Sequence, residues 1–199
     1  MQLLLTATSP FARAVRIALM IKRLDSECRI VWVDPSSDTP ELLQANPHSR
    51  VPVLILDNGL ALTETLLIMQ YLDRRTPDPT LLPNSTYLAE LSLAGIAIGL
   101  MEASFWVVFN RRFNPENTAR NNPLELRRLA SITRTLDQLR DLKPHPLKNT
   151  PGLGQLLLKV ALDYLEFRLP DLKAIERTAL QDWNKPFQKL EPFTLTEFY

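Results

Sequence analysis

The chain has 199 residues, of which 45% are hydrophobic and 23% charged, with a formal net charge of +1. This is the composition of a globular protein with an adequate core, and the balanced charge gives no electrostatic argument for a nucleic-acid or membrane partner. A single cysteine, Cys28, excludes an internal disulfide framework, and the first residues lack the basic region of a signal peptide. We therefore expect a soluble, cytoplasmic protein.

The first part of the chain alternates between strand and helix signals. Residues 2–6 form a short apolar run, and Ser9-Pro10 then marks a helix start, because proline fits the first turn of a helix. A second strand is predicted at 29–33, a short helix at 40–45, a hairpin around Asn58-Gly59, and a helix at 65–75. The order βαβαββα predicts a small mixed sheet, since a βαβ crossover is parallel and a hairpin is antiparallel.

The rest of the chain reads as helical almost throughout. Helical patterns cover residues 86–113, 123–142, 153–167 and 172–190. Three prolines, Pro77, Pro79 and Pro83, mark a stiff connecting segment between the two patterns. The predicted architecture is an α/β domain at 1–76, a linker at 77–85 and an all-helical domain at 86–199.

Several segments occur in an order that matches a known family. They are Thr8-Ser9-Pro10-Phe11, Asn46-Pro47-His48-Ser49-Arg50-Val51-Pro52-Val53, Leu62-Thr63-Glu64-Thr65 and Ala161-Leu162-Asp163-Tyr164. In this order the chain resembles the glutathione S-transferase superfamily, and in particular its small bacterial members. The resemblance implies a thioredoxin-like N-terminal domain that binds glutathione, a helical C-terminal domain, and a homodimer.

Ser9 is the candidate catalytic residue that the resemblance implies. Its hydroxyl, at the N-terminus of the first helix, would donate to the glutathione sulfur and favour the thiolate. The alternative is that Ser9 is only a helix cap. Family members with cysteine here carry out redox chemistry through mixed disulfides, and that route is closed to a serine.

The resemblance also implies a set of glutathione-binding residues, namely Phe11, Arg50, Val51, Pro52, Glu64 and Thr65. Val51-Pro52 would be a cis peptide that turns the Val51 backbone groups toward the ligand. Thr65 and Glu64 would hold the γ-glutamyl end, and Arg50 would face the glycyl carboxylate. The alternatives are a strand-edge proline, an ordinary helix start and a solvated arginine.

Two pairs of residues depart from the family pattern. His48-Ser49 replaces the common Leu-Gly pair, which leaves the shape of that loop open. Gly152 and Gln155 stand where the late helix usually has a Ser/Thr-x-x-Asp capping box, so we expect the reciprocal side-chain bond to be lost. Both changes suggest divergence from the active enzymes.

A second substrate would need an apolar pocket. Met101, Phe105, Val108 and Arg112 share one helical face and are candidates for it, although such a stripe is more often core. The two histidines, His48 and His145, have no companions at metal-ligand spacing, so no metal site is predicted.

The sequence leaves three functions open. The first is a transferase that conjugates glutathione, its co-substrate, to a small electrophile. The second is a non-catalytic binding or regulatory protein on the same scaffold. The third is glutathione-dependent isomerase, dehalogenase or reductase chemistry.

Overall fold

The computed structural model describes residues 1–114 and 122–199. The chain divides into two compact units, one of residues 1–81 with 191–199 and the other of residues 82–190. The division at Leu81 falls inside the segment predicted as the linker. No pattern in the sequence indicates that residues 191–199 pack within the first unit.

The first unit contains the predicted βαβαββα order. Its strands are β1 (Gln2–Leu5), β2 (Arg29–Trp32), β3 (Val53–Ile55) and β4 (Ala61–Thr63), and its first helices are α1 (Pro10–Ile21), α2 (Pro40–Ala45) and α3 (Thr65–Arg75). The strand order is β2-β1-β3-β4, with β1 parallel to β2 and β3 antiparallel to both β1 and β4. This confirms the thioredoxin-like class predicted from the sequence.

Strand β1 forms the centre of this unit. Leu3, Leu4 and Leu5 are all fully buried, so both faces of the strand are covered. A strand buried on both faces needs no alternation of polar residues, which is why this segment reads as a continuous apolar run. Leu42 of α2 and Val53 of β3 pack with Leu4 in one of the resulting clusters.

A buried ion pair links α1 and α3 in the first unit. The Lys22 ammonium of α1 donates to Asp73 of α3 at 2.7 Å and also to the carbonyl of Pro79. Asp73 accepts further hydrogen bonds from the Leu81 backbone at 2.7 Å and from the Thr80 hydroxyl at 3.1 Å. The first part of the predicted linker is therefore bonded to the sheet domain.

Residues 191–199 add a last helix, α9 (Glu191–Thr194), to the same unit. Arg13 of α1 is buried and donates to the Phe193 carbonyl at 3.2 Å and to the Thr196 hydroxyl at 3.3 Å. Its guanidinium also lies over the Phe198 ring, 4.6 Å from the centroid. These contacts explain why the end of the chain packs on α1.

The second unit is built from α4 (Tyr87–Phe113), α5 (Pro123–Leu142), α6 (Leu153–Arg168), α7 (Ala174–Arg177) and α8 (Gln181–Asn184). Helix α6 is its core, with all but a few residues buried, and it packs against α4. Within the described ranges, α4 alone has the length and apolar composition of a membrane-spanning helix. Its buried inner face against α6 identifies α4 as a core helix of this unit.

The prediction of one helix over residues 172–190 is wrong. That stretch holds two four-residue helices, α7 and α8, separated by turns. Lys173 and Ala179 adopt left-handed backbone conformations with φ of 46° and 53°, which interrupt the helical path on either side of α7. Pro186 then removes a backbone donor after α8.

The N-terminus of α6 is capped by a residue from another helix. Glu90 of α4 is almost fully buried, and its Oε2 accepts from the backbone N–H of Gly154 at 2.7 Å and of Gln155 at 3.2 Å. These are the second and third N–H groups of α6, which an N-cap side chain normally satisfies. Glu90 Oε1 lies 2.9 Å from His145 Nε2, without the alignment of a hydrogen bond.

This arrangement corrects the expectation that the capping box is lost. The Gln155 side chain accepts from the Gly152 N–H at 3.2 Å, so the reciprocal half of the box is retained. A Cβ atom at Gly152 would overlap the Glu90 carboxylate. Glycine at 152 leaves room for the Glu90 carboxylate, which takes the place of an N-cap side chain.

Candidate functional site

The register of the sheet brings three segments of the first unit to one end of the sheet. Leu4 pairs with Val53, and Val53 pairs with Thr63. Continuing these antiparallel pairings places Val51 beside the end of β1 on one side and beside Thr65 on the other. Neighbouring strands lie about 4.8 Å apart, so the ends of β1 and β4 that lead into α1 and α3 lie on either side of the start of β3.

Ser9 is the N-cap of α1. Its Oγ accepts from the Ala12 backbone N–H at 3.2 Å, and the side chain is largely buried. A hydroxyl can accept and donate at the same time. The capping role is thus present and leaves the hydroxyl hydrogen for a further acceptor, so the two roles weighed for Ser9 are compatible.

The loop before β3 is organised by Asn46, which is buried at 4% exposure. Its Oδ1 accepts from the His48 N–H at 3.1 Å, and its Nδ2 donates to the Arg50 carbonyl at 3.0 Å. Its backbone N–H donates to Leu42 at 2.7 Å, and its carbonyl accepts from Ser49 at 2.9 Å. All four polar groups of Asn46 are therefore used within the structure.

Ser49 defines the shape of the loop at the position where the family pattern has glycine. It adopts the left-handed conformation, with φ of 50°, that a glycine would adopt without strain. Such a conformation costs a residue with a side chain about 1–2 kcal/mol. The Ser49 hydroxyl donates to the Pro35 carbonyl at 2.9 Å, which offsets part of that cost.

The Val51–Pro52 peptide is cis, as the resemblance implied. Pro52 is buried and Val51 is half-buried. Within residues 1–114 and 122–199, neither the N–H nor the C=O of Val51 takes part in a hydrogen bond. Since buried backbone groups are nearly always paired, this open pair at the start of β3 is suited to an extended ligand.

Helix α3 begins without a side-chain cap. Glu64 holds its N-cap position with φ of 67° and ψ of 123°, a sparsely populated conformation, and its side chain is exposed. Thr65, the first helical residue, is buried, and the described residues offer no acceptor to the first N–H groups of the helix. Strained backbone of this kind clusters at ligand sites, and a bare helix N-terminus favours an anion.

Phe11 and Arg50 are the remaining residues predicted to bind glutathione. Phe11 lies in the first turn of α1 and is half-buried. The Arg50 side chain is exposed, and no carboxylate of the described residues pairs with it. Arg50 is thus available to a ligand or to solvent.

The residues predicted for a second substrate differ in their burial along α4. Met101 is fully buried and belongs to the core, whereas Phe105 is 40% exposed. Val108 is half-buried and Arg112 is exposed. Their role as a pocket stays a prediction.

Sequence reasoning missed two features of the sites. The role of Asn46 in the loop could have been recognised, because asparagine before proline often organises a turn through its side chain. On α4, the spacing of four that links Phe105, Phe109 and Phe113 was overlooked. Their rings form tilted pairs at centroid distances of 5.7 and 4.5 Å, and all three are at least 40% exposed.

The thiol and metal chemistry of the described residues is limited. Burial raises the pKa of the Cys28 thiol, which keeps it protonated at neutral pH. No cluster of three metal-ligating side chains occurs in residues 1–114 and 122–199. The absence of a metal site stays a prediction.

Fold and site together define a thioredoxin-like domain, with backbone groups at the start of β3 that the described residues leave unpaired, followed by a helical domain. Residues 3–80 match the family model described as the N-terminal domain of glutathione S-transferase. A glutathione S-transferase from Methylobacterium radiotolerans, solved in complex with glutathione sulfonate, superposes with a TM-score of 0.88 at 26% identity, covering 100% of this chain and 94% of that one.

Two curated relatives agree with this assignment. An uncharacterised glutathione S-transferase-like protein of Escherichia coli, YibF, is 29% identical over 172 residues, covering 84% of this chain and 83% of that protein. A probable glutathione S-transferase of Solanum tuberosum is 32% identical over 122 residues. That alignment covers 59% of this chain and spans only 54% of the potato protein. The N-terminal part of the chain thus matches the glutathione S-transferase family model, and the whole chain is similar in fold to a member of that superfamily.

Proposed function

We propose that this protein is a glutathione transferase that joins the glutathione sulfur to a small electrophile. The observation that carries the proposal is the end of the sheet at the start of β3, where Val51 has an open backbone pair between the strands that lead to Ser9 at the start of α1 and to the N-terminus of α3. Within the described residues, the Ser9 hydroxyl hydrogen, the Val51 backbone groups and the first N–H groups of α3 each lack a partner, and a peptide-like, anionic thiol could supply one. The similar M. radiotolerans structure contains glutathione sulfonate, which supports a tripeptide ligand here.

Ser9 supplies the chemistry in this proposal. Its hydroxyl hydrogen donates to the glutathione sulfur while its oxygen continues to cap α1. A free thiol titrates near ~8.5, so lowering its pKa by about one unit raises the thiolate fraction at neutral pH several-fold. The thiolate then attacks the electrophilic carbon, and the leaving group departs with its electron pair.

The other residues hold the tripeptide. The Val51 N–H and C=O pair with the cysteinyl unit as an added strand would. The γ-glutamyl carboxylate lies at the N-terminus of α3 with Thr65, and Glu64 pairs with the adjacent ammonium. Arg50 faces the glycyl carboxylate, and Phe11 lies beside the sulfur-binding turn.

Further parts of the proposal concern the electrophile and the assembly. Met101, Phe105, Val108 and Arg112 line the electrophile's pocket. A homodimer forms through the outer face of α4, where Leu88 and Leu91 are exposed and Gly95 and Gly99 leave open space for a second helix. We place the protein in the cytoplasm, with no metal, nucleic-acid or membrane partner.

The test combines binding and turnover. Calorimetric titration with glutathione should give a measurable Kd, and a chlorodinitrobenzene should be converted with release of chloride. The Ser9→Ala variant should keep the affinity and lose most of the turnover. Binding without turnover of any electrophile would favour a binding protein or another glutathione-dependent reaction, and no binding at all would refute the proposal.

A further inference from the structure

We propose that Asn46 is a positioning residue for glutathione, with Ser49 as the second anchor of the same loop. This inference rests on the proposed function and adds two residues that do not touch the ligand. They act through Arg50 and Val51, whose backbone they hold in place.

The loop is held almost entirely by one side chain. Asn46 binds the His48 N–H with Oδ1 and the Arg50 carbonyl with Nδ2, and its own carbonyl accepts from Ser49. Pro47 has no N–H to satisfy. Once these bonds are made, the Val51 N–H and C=O are left without a partner in the described residues, next to the buried Pro52.

Ser49 ties the loop to a different part of the unit. Its left-handed backbone reverses the chain between His48 and Arg50, and its hydroxyl donates to the Pro35 carbonyl. A loop fixed at two points is preorganised, so a ligand that pairs with Val51 does not have to order it on binding. Loosening the loop should therefore weaken glutathione binding and leave the chemistry at Ser9 unchanged.

The experiment compares variants that remove one anchor at a time. Asn46→Ala should raise the calorimetric Kd for glutathione about tenfold, which corresponds to about 1.4 kcal/mol. At saturating glutathione, kcat with chlorodinitrobenzene should stay within about twofold of wild type, whereas Ser9→Ala should show the opposite split. Asn46→Asp keeps the acceptor for His48 and loses the donor to Arg50, so it should bind glutathione no better than Asn46→Ala.

A matched control comes from the β3–β4 hairpin. Asn58 Oδ1 accepts from the Leu60 N–H at 3.0 Å, the same type of turn away from the site. Asn58→Ala should leave the Kd unchanged. A normal Kd for Asn46→Asp would overturn the role assigned to the Arg50 contact, and a normal Kd for Asn46→Ala would overturn the proposal.

Ser49→Ala provides a second test that does not depend on how well the Asn46 variants fold. It removes only the bond to Pro35, and it should raise the Kd for glutathione about threefold with kcat unchanged. An unchanged Kd would refute the role of Ser49 as an anchor. If the wild-type chain bound no glutathione, the proposed function and this inference would both fail; if it bound and the variants bound equally well, only the inference would.

Discussion

The role of Glu90 as the N-terminal cap of α6 can be tested by removing Glu90 and placing a capping side chain in α6 itself, at position 152. In the structure the Glu90 carboxylate occupies the space that a serine side chain at position 152 would need. Glu90→Ala removes the cap, and Gly152→Ser supplies one from the helix itself. The two changes should therefore compensate each other when they are combined and should each be harmful alone.

The expected magnitudes follow from the bonds involved. Glu90 makes two charge-assisted hydrogen bonds to the first turn of α6. Such bonds contribute about 1.5–3 kcal/mol each, so Glu90→Ala should lower the free energy of unfolding by about 3–6 kcal/mol. Gly152→Ser in the wild-type background should cost about 1–3 kcal/mol through overlap with the carboxylate. In the Glu90→Ala background the same serine should restore about 0.5–1.5 kcal/mol, because its hydroxyl can accept from a buried N–H that the loss of Glu90 leaves unpaired.

The assay is urea denaturation followed by tryptophan fluorescence, to which Trp183 contributes from the same unit, where its indole N–H donates to the His145 carbonyl. Thermal midpoints should fall with the free energies by roughly 2–4 °C per kcal/mol. Glu102→Ala, a change at an exposed glutamate of α4, serves as the control and should have little effect. If Gly152→Ser changed the stability by the same amount in both backgrounds, the two residues would not compete for one place and the reasoning would be refuted.

Three further outcomes are expected. Ser9→Ala should lower the turnover of chlorodinitrobenzene at least tenfold while calorimetry shows a glutathione Kd near that of wild type. Lys22→Met should lower the free energy of unfolding in urea by about 3–5 kcal/mol, because it leaves the Asp73 carboxylate without its buried cation. The Arg177 guanidinium holds the pKa of Asp137 below its ordinary value, so this pair stabilises the fold above about pH 3.9 and its contribution is lost as the pH falls through the lower folded pKa. The difference in thermal midpoint between wild type and Asp137→Asn should accordingly narrow in acid.

Much of the fold could be predicted because its signals are local. Ser9-Pro10 at the start of α1, Asn58-Gly59 in the hairpin and Pro123 at the start of α5 each act within one turn of the chain. The elements that these signals bound match the structure within a residue or two. Periodicity alone, however, could not separate the short helices within residues 172–190, because Lys173 and Ala179 carry no sign in the sequence that their φ is positive.

The contacts that could not be predicted join residues far apart in the chain. Glu90 caps a helix whose first bonded N–H lies 64 residues further on, and Arg13 binds a carbonyl 180 residues away. A capping box is recognised in a sequence by its spacing within one helix. When the acceptor comes from another helix, the sequence shows only an unexplained glycine.

The candidate site was predicted through the resemblance rather than through physical signals, and the structure changes how its departures are to be interpreted. His48-Ser49 and Gly152 suggested divergence from active enzymes because each replaces a residue with a clear structural task. Ser49 performs that task by adopting the left-handed backbone itself and bonding to Pro35, and Glu90 performs it in place of a side chain at 152. Since both tasks are still carried out, neither substitution favours a non-catalytic protein, and the question of activity depends on Ser9 and the open backbone pair of Val51.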